Sequence, residues 1–204
     1  MHMNPISPAD ILDFWLADGL ESGWPTQDLS KRWFLGGAVL DQEIKNRFGT
    51  RVVQAVGGDL TDWELQPLSR LALVILLDQF TRNVFRGNAQ AFEGDARAQQ
   101  LVQDTLGQRS DKALPWVARV FTYMPLMHAE DLSLQGECVS CFSQLVAEAP
   151  DFLKQRFQGN LDFALQHQSI IARFGRFPHR NTVMGRTSTP DEDAFLLNGP
   201  RFGQ

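Results

Sequence analysis

From Pro67 to about Val84 the chain places apolar residues around most of a helical circumference: Leu68, Leu71, Ala72, Leu73, Val74, Ile75, Leu76, Leu77 and Phe80. A helix that is apolar nearly all round has to be surrounded by other elements of its own domain. The unbroken run from Leu71 to Leu77 has a rival reading as a buried parallel strand. Leucine outnumbers the β-branched residues there, and no alternation of strands with helices surrounds it, so we assign a helix. Its seven residues fall far short of the roughly 20 that a membrane span needs.

The rest of the chain is compatible with packing around that helix. Ser7-Pro8 reads as an N-cap with proline at the first helical position, and Ile11, Phe14 and Trp15 follow at helical spacing until Gly19 stops the run. Leu40, Ile44, Phe48, Val52 and Val56 step by four before Gly57-Gly58. Further helices are expected over 90–107, from Pro115 to about Met124 with Pro125 kinking or ending it, over 127–147 and over 151–174. Thr189-Pro190-Asp191-Glu192 reads as a capping box opening a short last helix. These signals predict an all-α domain of seven to eight or more helices stacked as hairpins. It spans 1–204 as one domain, with 1–6 and 199–204 as peripheral tails.

Composition narrows the function. Hydrophobic residues at 43% and charged residues at 21% exclude a disordered chain. A net charge of −5 argues against a nucleic-acid partner. No signal-like N-terminal stretch is evident, so the expected compartment is the cytoplasm, and no membrane partner is expected. Two cysteines do not make a disulfide scaffold, and Cys138-Val139-Ser140-Cys141 inside a helix, with no strand before it, reads as two ordinary thiols. The bases are 15 Arg and only 4 Lys, and they are unevenly spread: residues 1–162 carry −7, 163–190 carry +4, and 191–204 carry −2.

Four segments put polar residues where burial is expected. Asp78 falls on the face of Leu71, Val74 and Ile75, with Arg82 one turn on and Asn83 beside it. An isolated carboxylate in a core costs several kcal/mol, so Asp78 should be paired, either in a structural Asp78–Arg82 pair or in a site. His128 and Asp131 are three apart, which on a helix places them on one face, while Glu130 points away. They suit a proton-transfer pair, or alternatively a helix cap. His167 shares an apolar stripe with Phe163, Ile170, Ile171 and Phe174, where a histidine is either a hydrogen-bonded core residue or a ligand contact. Finally, Arg173, Arg176, His179, Arg180 and Arg186 lie in a stretch without one acid between Asp162 and Asp191. Arginine forks grip carboxylates and phosphates, so this stretch needs counter-charge from elsewhere in the chain or from a ligand.

The strings Leu77-Asp78-Gln79-Phe80-Thr81-Arg82-Asn83, Tyr123-Met124-Pro125-Leu126-Met127-His128-Ala129-Glu130-Asp131 and Arg173-Phe174-Gly175-Arg176-Phe177-Pro178-His179-Arg180-Asn181 resemble signatures of the bacterial DUF924 family. The resemblance runs from Ile11-Leu12-Asp13-Phe14-Trp15 to Ser188-Thr189-Pro190-Asp191-Glu192, with Thr81 where the family commonly has proline. It implies a fold like that of tetratricopeptide-repeat proteins. It supplies no activity and no catalytic residue.

The residues therefore suggest one polar pocket. His128, Asp131, Asp78 and His179 are the candidates for catalysis, and Arg82, Asn83, His167, Arg173, Arg176 and Arg180 for gripping a small anionic molecule. No cofactor is expected, a divalent metal being a lesser variant. The competing reading is a non-catalytic module binding a peptide or protein, in which the same cluster is a structural network. Saturated arginine forks would favour the network, and donors facing a cavity would favour the site.

Overall fold

The computed structural model describes residues 6–200. The expected tails lie largely outside those residues. Among the described residues the structure is helical throughout, with ten α-helices, short 3-10 and π turns, and no strand. Its described residues divide into two compact units, 6–122 and 123–200.

The first unit contains α1 (Pro8–Leu16), α2 (Gly19–Ser22), α3 (Ala38–Val56), α4 (Pro67–Ile75), α5 (Thr81–Val84) and α6 (Asp95–Gly107). It also holds the start of α7 (Trp116–Met127). The Ser7 cap is present as a full capping box, Asp10 answering the Ser7 amide while the Ser7 hydroxyl accepts from the Asp10 amide. The long central helix forms, but not as one regular α-helix. A π turn over Leu76–Phe80 joins α4 to α5. Every residue from Leu71 to Phe80 is buried. Aromatic side chains fill the space around it: Phe14 meets Phe48 at 5.0 Å between ring centroids, Trp15 meets Phe80 at 5.2 Å, and Trp33 meets Phe121 at 5.0 Å.

Two expectations need correction here. The helix expected over 90–107 is broken: a 3-10 turn covers Ala89–Phe92 and α6 starts at Asp95. Gly94, at the break, has to be glycine, because a Cβ there would lie 2.4 Å from the Leu77 carbonyl oxygen. Of the two outcomes expected at Pro125, a kink or an end, the end does not occur, since α7 continues to Met127 with the proline inside it. Proline removes one amide donor and crowds the carbonyl four residues back, and only two helical residues follow it here.

The second unit contains the end of α7, then α8 (Leu132–Glu148), α9 (Asp151–Phe174) and α10 (Pro190–Leu196). Ala149 and Pro150 are the whole joint between α8 and α9, which pack as a helical hairpin. Phe142, Leu145, Leu153 and Phe157 are buried on these helices. The helix expected over 127–147 begins late, at Leu132, because Asp131 caps it through its Oδ1, which accepts from the Leu134 amide at 3.0 Å. Cys138 is buried in α8 and Cys141 partly so, both as free thiols, and burial pushes the Cys138 thiol well above the ordinary range. No helix among the described residues is long and apolar enough to cross a membrane.

Candidate functional site

Asp78, Arg82 and Asn83 belong to the first unit. His128, Asp131, His167, Arg173, Arg176, His179 and Arg180 belong to the second. Each group has its own chemistry.

In the first unit the π turn carries Asp78 into a fully buried position. Gln79 Nε2 donates to Asp78 Oδ2 at 2.6 Å. The expected Asp78–Arg82 pair is there, at 3.6 Å, but Arg82 Nη2 lies closer to Asp95, at 2.7 Å. Arg82 Nη1 donates to the Ala91 carbonyl, and its guanidinium covers the Phe92 ring. Asn83 donates to Asp41 Oδ1 at 2.8 Å, and Arg86 grips the same carboxylate with Nε at 2.6 Å and Nη2 at 2.9 Å. Arg86 and Asn83 together hold the Asp41 carboxyl below its ordinary value against the opposing effect of burial. Asp95 and Asp41 were not legible as partners, because helix spacing relates only residues on one helix and both acids arrive from others.

In the second unit Phe177 is the centre. Its ring is fully buried, 5.5 Å from the His167 ring on one side and 5.5 Å from the His179 ring on another. The Arg180 guanidinium, itself buried, lies 4.5 Å over the Phe177 ring. His128, partly buried just after α7, has its ring 6.2 Å from that of His167. The Gln135 amide fixes this joint by donating to the Met127 and Ala129 carbonyls at 2.6 and 2.8 Å. His167 Nδ1 is 2.7 Å from the Phe163 carbonyl one turn earlier. A carbonyl only accepts, so that nitrogen carries the proton and Nε2 carries the lone pair.

The buried His167 and the partly buried His179 are both neutral at ordinary pH. Burial, then the charge of neighbouring His128, lowers His167 to about 3. Burial, then the charge of Arg180, lowers His179 to about 3, against the opposing pull of Glu130. His128 and Asp131 do not share a helix face as expected, because α7 stops at Met127 and Asp131 is exposed in its capping position.

The acid-free stretch finds its counter-charge within the chain. Arg173 pairs with Asp191 at 2.7 Å on the surface. Arg176 grips both oxygens of Glu192, at 2.6 and 2.8 Å, and Asn181 Nδ2 reaches the same carboxylate at 3.3 Å. Glu192 also completes the Thr189 capping box, and the Arg176 guanidinium beside it brings its carboxyl down to about 2. Arg186 grips Glu130 with two bonds, at 2.6 and 2.9 Å. Glu130 was read as pointing away and Glu192 only as a cap, so both were missed as partners. Among the described residues no three metal-ligating side chains converge as a metal ion would require.

A family model described as "Bacterial protein of unknown function (DUF924)" matches residues 11–200. A solved structure titled "Structure of Protein of Unknown Function ATU0120 from Agrobacterium tumefaciens" is similar to this chain, with 34% identity and a TM-score of 0.77. The alignment covers 94% of this chain and 97% of that one. No curated protein matches.

Proposed function

The chain belongs to the DUF924 family of bacterial proteins of unknown function, and from that premise we propose a role on the chemistry of the second unit alone. It binds a small anion, carboxylate- or phosphate-bearing, at His128, His167, His179 and Arg180. One observation supports this reading: two imidazoles, His167 and His179, and the buried Arg180 guanidinium pack on the single ring of Phe177, and a third imidazole, His128, lies against His167. The carboxylate whose charge His179 feels, Glu130, is already gripped by Arg186 and the Phe177 amide. An anion would bring the charge that lets the imidazoles take protons, and neutral imidazoles are the natural acceptors if the bound molecule is also transformed. Arg173 and Arg176 then serve as scaffold, their forks turned to Asp191 and Glu192. Free thiols at Cys138 and Cys141 suit the cytoplasm as the compartment.

The test is thermal unfolding with added inorganic phosphate or succinate, for the wild type and a His167→Gln, His179→Gln double variant. A ligand at about 100 times its Kd stabilises by about 2.7 kcal/mol, so the wild-type midpoint should rise while the variant's stays put. Equal midpoints with and without ligand in the wild type would sink the proposal.

A second reading has its own observation. The forks of Arg82, Arg173 and Arg176 meet carboxylates, as a structural network requires. Under it the protein is a non-catalytic module of helical hairpins, of tetratricopeptide-repeat kind, that binds a peptide or protein partner. Its signature in the same experiment is a double variant that loses stability by one amount whether or not the anion is present.

A further inference from the structure

We infer that Glu130 is the positioning residue that assembles the second-unit site, holding the 175–186 segment so that Phe177, His179 and Arg180 reach His128 and His167. The inference rests on the anion-site reading above and adds the device on which that site depends. Glu130 Oε1 accepts from the Phe177 amide at 2.8 Å and from Arg186 Nη2 at 2.9 Å, while Oε2 accepts from Arg186 Nη1 at 2.6 Å. Arg186 Nη2 also donates to the Phe177 carbonyl at 3.2 Å. Both backbone polar groups of Phe177 are therefore tied to one ion pair. Phe177 in turn is the ring against which His167, His179 and Arg180 all pack.

The segment itself is built to be held from outside. Gly175 and Gly185 bracket it at φ of 69° and 65°, a left-handed backbone that side chains resist. Between them run short turns, with Arg180 N bonded to Phe177 O, Met184 N to Arg180 O, and Arg186 N to Asn181 O. Such turns carry little stability of their own. Glu192 fastens the segment separately, through Arg176 and Asn181. Glu130 differs from it in position, because it lies two residues from His128 and sets the distance between the two halves of the site. It does not touch the ligand itself, since its oxygens are engaged by the segment it holds.

Sulfate is the probe, because it stays a dianion across the pH range in which histidine titrates. Isothermal titration would compare the wild type with Glu130→Ala, which removes every bond, and Glu130→Gln, which can still accept from the Phe177 amide. We expect the alanine variant to lose about tenfold or more in affinity, or about 1.4 kcal/mol by the usual conversion, with the glutamine variant recovering part of it. Wild-type binding matched by the alanine variant would overturn the inference while leaving the site standing. If the wild type binds none of sulfate, phosphate and succinate, the site reading fails, and the ring signals of His179 in ligand-free protein decide the latch separately. On Glu130→Ala the imidazole should titrate close to its ordinary value; an unchanged titration in a folded variant would overturn the latch.

Discussion

The two units both pair charge within the chain, and they differ in what stands beside the pairs. In the first, Asp41, Asp78 and Asp95 come from different elements and meet Arg82, Arg86 and Asn83 directly. In the second, Arg173, Arg176 and Arg186 of one basic segment are met by Asp191, Glu192 and Glu130, and the same segment also carries Phe177, with His167 and His179 on its ring. Charge that is matched on the spot makes a strut. Imidazoles held neutral beside a guanidinium make a group that can change charge when something arrives. Of the polar clusters named from the sequence, the second-unit one is therefore the better place to look for a ligand.

The sharpest way to break this contrast is to unpair the strut. Arg82→Met leaves Asp78 and Asp95 without the guanidinium they share and should destabilise the first unit by roughly 3–5 kcal/mol. Urea unfolding followed by tryptophan fluorescence reads this cleanly, because all five tryptophans lie at or before residue 116. A loss below 1 kcal/mol would show that the pair is not a strut. The second unit should instead respond to acid. The folded values of His167 and His179 are about 3, below the ordinary 6.5, so the unfolded chain binds protons first as pH falls. Their contribution is fully present above about 6.5 and declines steadily toward pH 3. The first unit's described residues contain no histidine, so unfolding curves between pH 7 and 5 should move for the second unit only. A pH-independent second unit would mean the imidazoles are not held neutral.

Two smaller substitutions refine the picture. Gly94→Ala drives a methyl onto the Leu77 carbonyl, which has to shift, and overpacking of this kind costs about 1–3 kcal/mol. A neutral outcome would mean that α6 and the central helix slide apart easily. Asp131→Ala should cost about 1 kcal/mol, the ordinary value of a lost N-cap, and leave sulfate affinity unchanged. A loss of affinity there would return Asp131 to the site.

Local grammar was readable and distant pairing was not. The two capping boxes, at Ser7 and Thr189, and the 24-residue helix α9 follow from short patterns that tertiary structure had no reason to override. Asp78 was readable as buried, because an all-round apolar helix leaves a carboxylate nowhere else to go. Asp95, the closer partner of Arg82, was not readable, since it arrives from another helix beside the close approach that Gly94 permits. Glu130 was misjudged because a helix was assumed through 128–131, where the chain instead turns before the Asp131 cap. The +4 segment did announce that counter-charge was needed; which acids would supply it was a matter of tertiary packing.

The buried thiol in α8 has a practical consequence. Cysteine occurs in this chain only at 138 and 141, both in the second unit. A thiol reagent reaches Cys138 only when that unit opens. Its alkylation rate is thus a clock for the second unit alone, running in native buffer on the unaltered chain. A ligand that slows that clock while leaving tryptophan emission unchanged would report, without any substitution, which unit it has closed upon.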